Sequence, residues 1–232
     1  MRDFGAMPSA LVTGGSSGIG LAIARALTED GYDLTISARK ADRLEAAAEE
    51  LGATAVAADV SSEEDCARLV AAHADAHGGL DVLVNSAGVG IAGTIGDTTT
   101  KKFDLQLSVN LRGAFLVTRE ALPLLRASRG YVINLASIAG TIPTPGLSSY
   151  GAAKAALIAL TRSLDREETA NGVRATALCP GFVDTPMAEW TGLGADEMIQ
   201  PEDCAEMVRA LLRLSPAARV PVVVVERAGE VV

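Results

Sequence analysis

Histidine and cysteine are scarce in this 232-residue chain, with two of the first and three of the second. Cys66, Cys179 and Cys204 are odd in number, widely spaced and in no C-x-x-C arrangement, which removes any zinc signature and fits ordinary thiols in a reducing compartment. The two histidines, His73 and His77, lie four apart in an alanine-rich helical stretch and so share a face. No acidic or cysteine ligand cluster accompanies them, so they read as a solvated helix face and no metal is expected. A triad hydrolase is poorly supported as well, because these are the only imidazoles and no G-x-S-x-G elbow occurs. Positive charge is also in deficit: 20 Lys and Arg stand against 29 Asp and Glu, a formal net charge of -9. Nucleic acid or an anionic membrane surface would normally need a basic patch, so the expected partner is a small molecule. The start, MRDFGAMPSALVTGG, has no long apolar segment before its first turn, and nowhere do 18 apolar residues run uninterrupted. The expectation is a soluble cytoplasmic protein without signal peptide or membrane anchor.

What the chain has in quantity is hydrophobic residues, 49% against 21% charged. That is ample for one large core, and residues 1–232 are read as a single domain. Short β-branched or apolar runs alternate with longer alanine-rich stretches of helical period, the pattern of a doubly wound α/β fold: a seven-stranded parallel sheet with helices on both faces. Strands are predicted at Ala10–Thr13, Leu34–Ala38, Ala53–Ala58, Val82–Asn85, Tyr131–Ser137, Arg174–Cys179 and Val220–Val225, with six or more helices between them. Gly31, Gly52, the pair Gly78 and Gly79, and Asn171 followed by Gly172 mark helix ends. The stretch from Gly181 to Gln200 has no clear period but contains Phe182, Met187, Trp190 and Leu193. It reads as a lid over a pocket, at about 182–200, rather than a floppy insertion.

Residues 13–20, TGGSSGIG, follow the first strand and open the helical run LAIARAL. Gly14, Gly18 and Gly20 therefore sit at a strand-to-helix turn, where backbone can approach a pyrophosphate closely and helix amides point at the anion. Ser16, Ser17 and Ile19 belong to the same turn. The acid that would bind adenosine ribose hydroxyls and select NAD is missing after the second strand, which ends Ser37, Ala38, Arg39, Lys40. Arg39 can instead face a 2′-phosphate, favouring NADP(H) over NAD(H); the alternative is a pair of solvated charges at a helix start. Asp59 and Val60 end the third strand, and Asn85, Ser86, Ala87 and Gly88 the fourth, at the carboxyl edge where ligands bind in such folds. Asp59 reads equally well as a helix N-cap.

Tyr150 and Lys154 lie four apart near the start of SSYGAAKAALIALTRSL, a helix with Ala153, Leu157, Leu160 and Leu164 on its apolar stripe. An ammonium beside a phenol favours the ionised form, so the pair can serve as proton donor and acceptor; alone, such spacing is also common on helix surfaces. Ser137, at the end of the fifth strand and 13 residues before Tyr150, adds a hydroxyl able to hydrogen-bond a substrate oxygen as charge develops there.

With these residues together, the sequence resembles the short-chain dehydrogenase/reductase family over nearly its whole length. The family's TGxxxGIG turn is present as TGGSSGIG, its NNAG motif as NSAG at 85–88, its asparagine as Asn110 in SVNLRG, its serine as Ser137 in NLASIAG, and its YxxxK as Tyr150 to Lys154. Its PG turn is present as Pro180 and Gly181, continuing through Val183 to Thr185. The resemblance implies that Tyr150 protonates the carbonyl oxygen, Ser137 stabilises it, Lys154 lowers the tyrosine pKa and holds the ribose, and Asn110 keeps a water in a proton relay. Thr185 is then a contact of the nicotinamide carboxamide. The implied activity is NADPH-dependent reduction of a ketone, aldehyde or 3-oxoacyl group; the alternatives are an NAD-dependent alcohol dehydrogenase and a non-catalytic NADP(H)-binding sensor. A homo-oligomer, dimer or tetramer, is the family's expectation. Two departures stand out: Ser86 replaces the second asparagine of NNAG, and the ending VPVVVVERAGEVV lacks the usual glycine-rich close, which bears on the interface the last strand often forms.

Overall fold

A computed structural model describes residues 7–229. Seven strands form one parallel sheet in the order β3-β2-β1-β4-β5-β6-β7. They are β1 Ser9–Thr13, β2 Asp33–Ala38, β3 Thr54–Ala57, β4 Val82–Asn85, β5 Tyr131–Leu135, β6 Arg174–Pro180 and β7 Val222–Val225. The central strands β1, β4 and β5 are buried at every residue, which is why SALVT, VLVN and YVINL read as nearly continuous apolar runs without alternation. Strand order reverses at β1, which pairs with β2 on one side and β4 on the other, both parallel. Ligands bind at such a switch point in doubly wound sheets.

Seven helices cover the sheet: α1 Gly18–Glu29, α2 Ala41–Leu51, α3 Glu63–His77, α4 Thr100–Leu107, α5 Ala114–Ser128, α6 Ser148–Glu167 and α7 Pro201–Arg213. Ile23 and Leu27 of α1, Leu44 of α2 and Val208 of α7 pack with Val12, Ile36 and Ile133 on one face. Leu69 of α3, Val117 and Leu125 of α5 and Leu164 of α6 pack with Leu11, Leu83 and Val132 on the other. Side chains of adjacent strand residues go to opposite faces, so β1, β4, β5 and β6 feed both cores. The expected glycines do close helices: Gly52 and Gly78 take left-handed conformations at φ 63° and 70° after α2 and α3. Four strand ends come out shorter than expected: β3 loses one residue at each end, and two others lose two. β5 stops at Leu135, leaving Ser137 beyond it as the cap of a 3₁₀ turn, Ile138–Gly140, and β7 begins at Val222.

The solvated reading of the histidines is wrong. His73 is 0% exposed; its Nε2 lies 2.9 Å from the Gly79 carbonyl and its Nδ1 2.9 Å from Thr35 Oγ1. His77 Nε2 is 3.0 Å from the same hydroxyl. A carbonyl only accepts, so Nε2 of His73 carries a proton, while the Thr35 hydroxyl joins Nδ1 of His73 to Nε2 of His77. Two imidazoles one turn apart on α3 therefore dock onto β2, and the helix face they share is the inner one. All three cysteines are free and buried, and burial pushes the Cys66 and Cys179 thiols up to about 11. Among the described residues no helix is long and apolar enough to cross a membrane.

Candidate active site

The turn from β1 into α1 is shaped by glycine. Gly14 and Gly18 adopt φ of +68° and +53°, a region that L side chains avoid. A Cβ on Gly20 would lie 2.3 Å from the Gly14 carbonyl oxygen, and one on Gly14 2.8 Å from the Ala87 nitrogen. The turn is thus pressed against the end of β4, with the α1 amides opening onto a cleft along the carboxyl edge.

Gly14, Ser16 and Ser17 line that cleft together with Arg39, Asp59, Val60, Ala87 and Gly88. Ile19, from the same turn, packs instead against the core. The cleft wall also holds Ser37, Lys40 and Arg43. Arg39, Lys40 and Arg43 are exposed, whereas Ser37 is buried with its hydroxyl lacking any partner among the described residues. Three cations around an orphaned hydroxyl suit a phosphorylated ribose, and the glycine turn suits a pyrophosphate. Arg43 lies in the first turn of α2, four residues after Arg39, a spacing legible in the sequence. Asp59 does not cap α3; Ser62 does, accepting from the Asp65 amide. The Asp59 carboxylate instead accepts from the amide and hydroxyl of Ser61 at 2.9 and 2.7 Å, held at the cleft.

Farther along the edge stand the chemical groups. Lys154 is buried, donates to the Leu135 carbonyl at 2.6 Å and lies 5.6 Å from the centre of the Tyr150 ring. Burial pushes its ammonium down to about 8. Burial likewise raises the Tyr150 phenol above its usual 10, against a hydrogen bond with Ser137 that lowers it. Ser137 is itself buried, and its hydroxyl accepts from the Ala139 amide at 3.2 Å.

Asn110 occupies a π-helical turn, Ser108–Gly113, between α4 and α5, a wide turn of the kind that recurs at functional sites. Its side chain grips one residue at both ends: Oδ1 accepts from the Val89 amide at 2.9 Å and Nδ2 donates to the Val89 carbonyl at 2.8 Å. A Cβ on Gly88 would lie 3.0 Å from that Oδ1 and 3.7 Å from Lys154 Nζ. Asn85 is buried, donating to Thr118 and Asn134 rather than lining the cleft.

The turn after β6 reaches over this centre. The Gly181 amide donates to the Val225 carbonyl at 2.8 Å, Val183 is buried, and the Thr185 methyl would be 3.0 Å from a Cβ on Gly18. Met187 would lie 3.2 Å and the Tyr150 ring 3.9 Å from a Cβ on Gly90, so the 182–200 segment lies alongside the phenol. Phe182 and Trp190 meet edge to face at 6.0 Å, with Trp190 57% exposed. Gln106, unremarked in the sequence, bridges the other wall. It accepts from the Ile91 amide at 3.0 Å and donates to Ser149 Oγ at 2.6 Å.

A family model described as short chain dehydrogenase matches residues 8–193. An uncharacterized oxidoreductase of Staphylococcus epidermidis is 40% identical over 202 residues, 86% of this chain and 88% of its own length. One from Staphylococcus aureus is 36% identical over 203 residues, with the same coverage. Among solved structures, an alcohol dehydrogenase from the archaeon Thermococcus sibiricus complexed with 5-hydroxy-NADP is similar at TM-score 0.89 and 32% identity, covering 95% of this chain and 97% of that one. An actinorhodin polyketide ketoreductase with NADPH follows at TM-score 0.86 and 30% identity, covering 94% and 95%.

Proposed function

This chain belongs to the short-chain dehydrogenase/reductase family and is an NAD(P)-dependent oxidoreductase, and on that premise we propose that it reduces a ketone, aldehyde or 3-oxoacyl group with NADPH, Tyr150 supplying the proton. The observation that carries this reading is geometric: at the carboxyl edge Lys154 Nζ lies 5.6 Å from the centre of the Tyr150 ring, Ser137 caps the turn that follows β5, and the glycine turn opens the same edge to a dinucleotide.

The bound dihydronicotinamide would supply hydride to the carbonyl carbon. Around that event the chain's own groups have separate tasks. Ser137 Oγ donates to the substrate oxygen as negative charge builds on it, and Tyr150 Oη passes its proton to the same atom. Lys154, beside the phenol ring, would hold the cofactor ribose, and Asn110, by gripping Val89, shapes the nearby wall, where a relay water would sit. Gly14, Gly18 and Gly20 admit the pyrophosphate, with Ser16, Ser17 and Ile19 completing the turn. Arg39, Lys40 and Arg43 take the 2′-phosphate, and Asp59 and Val60 the adenine side. Ala87 and Gly88 flank the ribose, with Asn85 buried behind them. Pro180, Gly181, Val183 and Thr185 hold the nicotinamide end, and residues 182–200 close as a lid whose Phe182, Met187 and Trp190 favour apolar substrates. The alcohol dehydrogenase and ketoreductase that resemble this chain are described with NADP-type cofactors, which supports the preference. A dimer or tetramer is part of the same proposal, in keeping with Phe103 and Phe115 exposed near α4 and α5.

The test is titration of the purified protein with NADPH and NADH, followed by a spectrophotometric screen of ketones, aldehydes and 3-oxoacyl thioesters. Tighter NADPH binding with its oxidation on one of these classes is expected. Tight binding without turnover across the panel would overturn the reductase in favour of a sensor, and turnover of sugars or strongly charged compounds alone would overturn the substrate class.

A further inference from the structure

Helix α6 turns a polar stripe toward the sheet. Tyr150, Lys154, Thr161 and Asp165 are spaced by four, seven and four residues, which stacks them along one helix face. A helix packed on a sheet ordinarily buries apolar groups there, yet Thr161 is fully buried and Lys154 and Asp165 nearly so. Each has its own partner on the strands. Lys154 donates to the Leu135 carbonyl of β5. Thr161 Oγ1 accepts from Asn134 Nδ2 of β5 at 2.8 Å. Asp165 Oδ1 accepts from the Ala175 amide of β6 at 3.0 Å and from Arg219 at 2.6 Å.

The Asn134 bond has a defined direction. Its Oδ1 is taken by Asn85 Nδ2 at 2.8 Å, so its amide nitrogen is the end left for Thr161, whose hydroxyl in turn donates to the Leu157 carbonyl at 2.7 Å. Asn85, Asn134 and Thr161 are all buried. Apolar contacts between α6 and the sheet tolerate small axial slips, but a buried amide nitrogen that loses its acceptor finds no water to replace it. Asn134 lies three residues before Ser137, and Thr161 seven after Lys154.

We propose that Asn134 and Thr161 are positioning residues: their hydrogen bond fixes the axial register of α6 on β5 and so holds Tyr150 and Lys154 opposite Ser137. The proposal rests on the reductase reading for its consequence in turnover, but its first test does not. Thr176 supplies a matched control, since it is equally buried and hydrogen-bonded, to Tyr131 Oη at 2.7 Å, but lies on β6 with no bond to α6.

The experiment is an ultraviolet titration of the full chain in which the Tyr150 phenolate signal is isolated by subtracting the spectrum of Tyr150→Phe. Thr161→Val should move the midpoint upward as the Ser137 contact loosens, Thr161→Ser should restore it, and Thr176→Val should leave it in place. On a carbonyl that is turned over, Thr161→Val should also lower kcat roughly tenfold, since sub-ångström misplacement of reacting groups is costly, with NADPH Kd within about twofold. An unmoved midpoint in folded Thr161→Val, or an equal shift in Thr176→Val, would overturn the proposal. If Thr161→Val does not fold, the double replacement Asn134→Leu with Thr161→Val removes both partners, leaving Asn85 Nδ2 its Thr118 acceptor, and the same shift is expected. Absence of turnover on every carbonyl would sink the reductase reading alone, whereas turnover with an unmoved midpoint would sink the positioning role alone.

Discussion

The two ends of the sheet treat buried polarity in opposite ways. At the amino ends, the polar groups are matched inside the fold: His77 to Thr35, Thr35 to His73, and His73 to the Gly79 carbonyl. That carbonyl also accepts from Ser9 Oγ at 2.7 Å, and the Ser9 amide donates to Asp81 Oδ2 at 2.7 Å. At the carboxyl ends, Ser37 Oγ and Asn85 Oδ1 are buried without partners among the described residues. There too lies Lys154, an ammonium kept in a place that depresses its pKa. Native folds seldom leave such groups unmatched, and where they do the cause is commonly functional. The amino end is built for stability, and the carboxyl end gives up stability to keep groups ready for a ligand.

Substitutions at the two ends should therefore separate activity from stability. The largest effect is expected from Tyr150→Phe, which removes the proton donor and should lower kcat by about 10² to 10⁴ in steady-state assays while leaving NADPH Kd nearly unchanged. Lys154→Met comes next, lowering kcat by roughly 10² while raising Tm at pH 7, because it removes a buried charge. The folded chain releases the Lys154 proton at about 8 and the unfolded chain near 10.4. The unfolded state thus binds more protons between those values, and wild-type stability should rise with pH across that window. Denaturant titrations at pH 7.5 and 10 should show the rise in wild type and its loss in Lys154→Met. Arg39→Asp should weaken NADPH relative to NADH roughly tenfold or more, as expected for losing a charge-assisted hydrogen bond; an unaltered ratio of Kd values would make Arg39 a solvated bystander. The smallest effect on function belongs to the amino end. His73→Leu should cost about 1 to 3 kcal/mol of stability by removing two buried hydrogen bonds, leaving Thr35 with His77 alone and the Gly79 carbonyl with Ser9 alone, with kcat and Kd unmoved. A loss of activity there without loss of stability would erase the distinction between the two ends.

The same contrast marks what could be read from the amino acids. Periodicity and turn residues located all seven strands to within two residues, because buried parallel strands and helix-closing glycines leave local signatures. The glycine turn, Ser137, Tyr150 and Lys154 were legible for the same reason, as fixed spacings within short segments. His73 was misread because helical spacing says that two imidazoles share a face without saying which way it points; its partner Thr35 is 38 residues away. Asn134 and Thr161 were invisible because their bond spans 27 residues and neither sits in a turn or cap.

The central claim, that the carboxyl edge carries hydride and proton to a carbonyl, is tested most directly with NADPH deuterated at the transferring position on C4 of the nicotinamide. In a single turnover on a ketone that the protein accepts, deuterium should appear on the carbinol carbon of the product with wild type and be nearly absent with Tyr150→Phe, although both bind the cofactor. Consumption of NADPH without label at that carbon, or equal labelling by both proteins, would contradict it.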